Sequence, residues 1–179
     1  LSSAYRLSTG DNSAAQQLDP ANNLFWRQNL RRLSAEQIRD GVLAITGQLN
    51  QQVHGESMYV TLSAEVLASQ SQPGLGWGDS APDQQARRSI YIHVKRSLPV
   101  PLMSAFDFPD TDISCEARFL TTQPGQALTM LNSSWMQQQA RAFVERLQRE
   151  VGDDLRQQAA RALELTTSGA ASPEDVTEL

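Results

Sequence analysis

Residues 34–49 read Ser34-Ala35-Glu36-Gln37-Ile38-Arg39-Asp40-Gly41-Val42-Leu43-Ala44-Ile45-Thr46-Gly47-Gln48-Leu49. Ser34 with Gln37 three residues later forms a capping box, two side chains that satisfy N–H groups left without partners at a helix start. Ala35, Ile38, Val42, Ile45 and Leu49 then recur at 3,4,3,4 spacing, which is one face of a 3.6-residue period. The stretch predicts an amphipathic helix and sets the fold class as mainly α.

Upstream, Trp26, Leu30 and Leu33 are spaced for one apolar face, so a helix is expected over Asn22 to Arg32. Leu1 to Asn23 is polar, with a Thr9-Gly10-Asp11-Asn12-Ser13 turn cluster, and reads as a short helix or extended arm followed by a loop. Downstream, residues 50–82 hold Gly55, Pro73, Gly74, Gly76, Gly78 and Pro82 around one short apolar patch, Glu65-Val66-Leu67-Ala68. They read as a long irregular loop with one helical turn. Ile90, Ile92 and Val94 alternate as a strand would, but the flanking Asp83 to Arg88 favours helix. The expectation is a helix from Asp83 to about Arg96, with at most a minor β element. Pro124 opens a short helix through Leu131. Ser134 with Gln137 reads as a second capping box, with Met136, Ala140, Phe143, Leu147 and Val151 as its stripe. Gly152 ends that helix, Asp153 caps the next, and Ser172-Pro173-Glu174-Asp175 starts a last one. The whole, 1–179, is expected to be one helical domain.

The 179 residues carry a net charge of −5, with 40% hydrophobic and 20% charged residues. That balance fits a folded unit and argues against a general nucleic-acid binder, whose affinity comes from neutralising phosphates. No apolar run approaches the roughly 20 residues of a membrane span. Of the 15 basic residues only Lys95 is lysine, and arginine suits bidentate, partly buried contacts better than lysine does. The chain starts at Leu1 without a signal-like segment, and reads as a piece of a longer protein.

Catalytic signatures are missing: there is no C-x-x-C, C-x-x-C-H, H-E-x-x-H, G-x-S-x-G or G-x-x-x-x-G-K-[ST]. His54 and His93 are the only histidines, too few for an ordinary zinc site unless both take part. Cys115 reads as a small buried hydrophobe rather than a nucleophile. Asp107, Asp110 and Asp112 offer oxygens at a density that suits Ca²⁺, although carboxylates also crowd ordinary turns and pair with arginine. Trp77, within Gly74-Leu75-Gly76-Trp77-Gly78, either stacks on a sugar ring or anchors its loop. Arg27 and Arg31, one turn apart if helical, and Arg87 with Arg88 suit a sulfate or carboxylate ligand, or else internal pairing with Glu36, Asp40 and Asp83.

Longer words carry a resemblance. Arg87-Arg88-Ser89-Ile90-Tyr91, Val94-Lys95-Arg96-Ser97-Leu98, Phe106-Asp107, Cys115, Arg118, Thr121-Thr122-Gln123-Pro124, Gln126-Ala127-Leu128 and Met130-Leu131-Asn132-Ser133 resemble one family. So do Leu1-Ser2-Ser3-Ala4-Tyr5-Arg6, Asp19-Pro20 with Asn22, Trp26-Arg27, Arg31-Arg32-Leu33 and Ile38-Arg39-Asp40. The family is a domain of unknown function near the C-terminus of large secreted planctomycete-type proteins, many with a cytochrome-c domain. His54-Gly55-Glu56-Ser57 departs from the family's Gly-Gly-Pro-Ser, and Gly125 replaces a larger residue. The resemblance implies a secreted or periplasmic setting and a haem carried only in a separate domain of the parent, with no cofactor here. It supplies no activity.

The expectation is therefore a non-catalytic helical module that docks to other domains of its parent, or to an extracellular glycan or protein. The alternative is part of a polysaccharide-active enzyme, with Asp107, Asp110 or Glu65 as acid and base. A third reading is a docking surface for a cytochrome partner.

Overall fold

The computed structural model describes residues 2–172, Glu174 and Val176. The helix expected from Ser172-Pro173-Glu174-Asp175 lies largely outside them. Eight α-helices follow one another among the described residues: α1 (Ser13–Leu18), α2 (Ala35–Ile45), α3 (Ala64–Ala68), α4 (Pro82–Gln85), α5 (Pro101–Ala105), α6 (Pro124–Asn132), α7 (Ser134–Val151) and α8 (Leu155–Thr167). Two short 3-10 turns accompany them, and the β structure among the described residues is limited to isolated bridges. The class is mainly α.

The chain divides into two compact units, Leu1–Arg32 and Leu33–Leu179. In the first, Asn12 caps α1 by accepting from the Ala15 N–H at 3.1 Å. The helix expected over Asn22 to Arg32 does not form. The Asp19 carboxylate accepts from the N–H groups of Asn23 and Leu24 at 3.0 and 2.7 Å, and the Trp26 indole donates to the Asp19 carbonyl. Asn22 and Phe25 sit at φ of 56° and 54°, outside the right-handed helix, and the Asn22 side chain bonds Arg27 and Asn29. Side chains have captured the backbone groups that a helix would use. Arg27 and Arg31 consequently do not share a helix face.

In the second unit α2 starts at the capping box read from Ser34 and Gln37. Its fully buried positions are Ala35, Arg39 and Leu43, so the inward face is rotated from the aliphatic stripe and carries an arginine at its centre. Ala35, Met58, Ile92, Met103 and Phe106 form the core between α2, the long loop and α5, with Met130 of α6 packed against it. α7 begins one residue earlier than a Ser134 cap requires, because Ser133 is the cap and accepts from the Met136 N–H at 3.3 Å. Asp154 rather than Asp153 caps α8. Gly152 ends α7 at φ 77°, as expected.

α7 also finishes α2. The Arg146 guanidinium donates to the Ala44 and Ile45 carbonyls in the last turn of α2, where the helix itself offers few donors. Thr46, Gln139 and Gln48 continue that seam as a chain of side-chain hydrogen bonds at 2.9 Å each, buried at Thr46 and Gln139 and reaching the surface at Gln48.

Candidate functional site

Residues 50–82 contain the expected helical turn, α3, and are otherwise irregular yet tied down. Asn50 donates to the Ala86 carbonyl at 3.0 Å, and Met58 exchanges backbone bonds with Tyr91 and His93 at 2.7 and 2.8 Å. The helix expected over Asp83 to Arg96 is instead α4, a 3-10 turn at Ser89–Tyr91 and extended backbone that bridges Met58 to Ile92 in parallel. The partner of this extended piece is a loop residue, which period counting does not reveal.

Two buried arginines carry the assembly. Arg39, 3% exposed, donates to the carbonyls of Arg87 and Gln85 and to the Ser89 hydroxyl. Asp40 beside it accepts from the Ser89 N–H and hydroxyl at 2.7 and 2.6 Å, and pairs loosely with Arg88 at 3.7 Å. Burial pushes the Arg39 guanidinium down to about 10, with Asp40 opposing, so it stays charged at neutral pH. Arg87, 2% exposed, donates to the carbonyls of His54 and Glu56 and stacks 3.9 Å from the Tyr91 ring centre. It grips the 54–56 turn through backbone oxygens, and this tolerates the departure at His54-Gly55-Glu56.

Tyr59, Trp77 and His93 pack together, with ring centres 4.7 to 6.0 Å apart. The Trp77 indole donates to the Val60 carbonyl at 3.1 Å, and Lys95 donates to the Leu75 carbonyl. Gly78 is required here, since a Cβ would stand 2.7 Å from the Tyr59 ring. Trp77 is half-buried, with its polar edge committed, and this geometry matches that of a loop anchor.

Against this platform lies a cleft of about 260 Å³. One wall is the segment from Ser89 to Val100; the other is α5 with Phe108 to Thr111. The buried Ile92, Leu98 and Met103 line it, with Lys95, Arg96 and Asp110 also on its walls.

The three clustered aspartates are divided among separate tasks. Asp107, at φ 59°, accepts from the Thr121 N–H and hydroxyl at 2.8 and 3.0 Å. Asp110 accepts from the Asp112 N–H at 2.8 Å, and Asp112 pairs with Arg96. Among the described residues no three His, Cys, Asp or Glu side chains are grouped to hold a metal ion. Cys115, expected to be buried, is exposed within an exposed run from Asp110 to Leu120. Ile113 and Phe119 in the same run are also exposed.

Several other arginines pair internally, partly with the expected carboxylates. Arg118 holds Glu36 at 2.7 Å, Arg27 holds Asp11 and lies over Trp26, and Arg31 is exposed. Burial acts to raise the Glu36 carboxyl, but bonds from its own backbone N–H, Arg118 and Ser34 outweigh it and leave it below the ordinary 4.5. The sequence leads one to expect Arg39, like the other arginines, to pair internally with carboxylates; its burial among backbone carbonyls is what that reading misses. The available signal was its 4-residue spacing from Ala35 and Leu43 on a capped helix.

These features define a helical module with an arginine-stapled central segment and one small apolar cleft. The family model described as PSD1, protein of unknown function (DUF1553), matches residues 1–179, and the chain belongs to that family. No curated protein and no solved structure matches the chain.

Proposed function

We propose that this chain is a non-catalytic interaction module that docks onto other domains of its parent protein. One observation carries the reading: too much of its surface is open. A globular chain of 19.7 kDa exposes about 8,600 Å², and separate pieces the size of Leu1–Arg32 and Leu33–Leu179 together roughly 10,000 Å². This chain exposes 12,634 Å². Eight apolar residues are buried among the described residues and seventeen large apolar ones are exposed. Leu128 and Leu131, three apart on α6, share an open face, and Ile113, Phe119 and Leu120 line the exposed run before it. Exposed apolar side chains grouped on a helix face are the kind of surface that interaction sites use.

The polar chemistry supports the same reading. Asp107, Asp110 and Asp112 bind Thr121, their own turn and Arg96, so the enzymatic alternative finds no open acid–base pair in that cluster. No helix among the described residues is long and apolar enough to cross a membrane. In this proposal the parent works in a secreted or periplasmic setting, with any haem in a separate domain.

The test mixes the 179-residue chain with the remainder of its parent and follows association by calorimetry. The reading predicts a complex weakened by Leu128→Glu with Leu131→Glu. No association, or association indifferent to both changes, contradicts it. A thermal shift with one polysaccharide class but none with the parent remainder transfers the docking role to a glycan.

A further inference from the structure

The cleft beside α5 is a candidate ligand site that the docking reading does not use. Its floor is apolar and partly core: Ile92, Leu98 and Met103 are buried, and Phe108 closes one side. An apolar cavity of about 150 Å³ binds benzene, so 260 Å³ suits an apolar body of roughly ten heavy atoms.

The rim adds charge selection. Arg96 pairs across the cleft's end with Asp112, one residue beyond the opposite wall, and both side chains are well exposed, at 73% and 47%. An ion pair so placed contributes about 0.2–1 kcal/mol and exchanges readily. An incoming carboxylate can take the position of Asp112 on Arg96 without burying an uncompensated charge. Lys95 is adjacent but already bound to the Leu75 carbonyl, and Asp110 lies on the same rim. Asp110 disfavours a second negative charge, so a monoanion fits better than a dianion.

We propose that this cleft binds a small amphiphilic monocarboxylate, with its apolar body on Ile92, Leu98, Met103 and Phe108 and its carboxylate on Arg96 in exchange for Asp112. Trp77 takes no part, since its indole is committed to Val60.

The test uses octanoate as the probe, with octanol and octyl phosphate as controls, read by ligand-observed NMR titration of the whole chain. Octanoate is expected to bind about fivefold more tightly than either control, the discrimination one exposed ion pair supplies. Arg96→Gln should bring octanoate down to the level of octanol. Asp112→Asn removes the competing carboxylate and should tighten octanoate about twofold to fivefold with octanol unchanged, a gain that misfolding cannot produce. Ser104→Trp, an exposed α5 position on the cleft wall, should abolish binding of all three probes. Equal binding of octanoate and octanol, or unchanged or weaker octanoate binding to Asp112→Asn, overturns the carboxylate assignment. Binding that survives Ser104→Trp, or no binding up to about 10 mM, the weak end of the affinity scale, overturns the site.

Discussion

Arg87 and Arg161 each direct one guanidinium into several hydrogen bonds, in opposite surroundings. Arg87 is 2% exposed and bonds the backbone carbonyls of His54 and Glu56 under the Tyr91 ring. Arg161 lies at the surface between Glu150 and Glu164, and Glu150 also takes Arg146. The surface network links α7 to α8, two helices whose backbones bond regularly within themselves. The buried contacts hold residues 50–98, where few backbone groups pair regularly and side chains must take over. In one region arginine replaces a missing β-sheet; in the other it decorates a helical pair that stands without it.

The largest expected effect follows from Arg39. Arg39→Met leaves the carbonyls of Arg87 and Gln85 without their buried donor and removes the cation beside Asp40, and should cost about 3 kcal/mol or more in urea unfolding. Arg39→Lys should recover little, because a point charge cannot reproduce the fork. A loss under about 0.5 kcal/mol, typical of surface changes, would erase the distinction between the two regions.

Gly78→Ala comes next, at about 1–3 kcal/mol, because the new methyl meets the Tyr59 ring between Trp77 and His93. Near-UV circular dichroism of Trp77 should change with it, and an unaltered spectrum would deny the ring packing.

The Glu36–Arg118 pair sharpens the comparison by pH. Its folded carboxyl lies below 4.5, so its contribution is complete above that value and is lost as pH falls through the lowered one. Glu150 and Asp154 shift the same way, held down first by Arg146 and by the Gln157 N–H respectively. Glu36→Gln should therefore flatten only part of the acid limb of a stability–pH curve. A limb left unchanged would remove Arg118 from the account.

The smallest effect is expected from Glu150→Gln. Its pairs are exposed to salt, so the unfolding midpoint should barely move and the difference should vanish at about 1 M salt, where the Debye length is near 3 Å.

Local chemistry made much of the fold legible. The Ser34–Gln37 box, Pro124, the 65–68 turn and Gly152 each act through neighbours in sequence. The caps of α7 and α8 shifted by one because Ser133-Ser134 and Asp153-Asp154 are doublets, and only geometry chooses the member that caps. Asn22–Arg32 misled because Trp26, Leu30 and Leu33 imitate a stripe while Asp19 and Asn22 redirect the backbone. The cleft was not legible: its walls are consecutive stretches of chain that face each other only in the fold, as Arg96 and Asp112 do. Internal arginine pairing was legible from composition, but not that Arg39 and Arg87 bury themselves on backbone carbonyls rather than on carboxylates.

The most direct measurement is amide hydrogen exchange at Asn50, Met58 and His93, in the wild-type chain and in Arg87→Lys. The account predicts protection of these loop amides in the wild type, and a marked loss in the variant while α7 amides stay unchanged. Exchange at free-peptide rates in the wild type, or equal protection in both proteins, would contradict the claim that buried arginine orders this region.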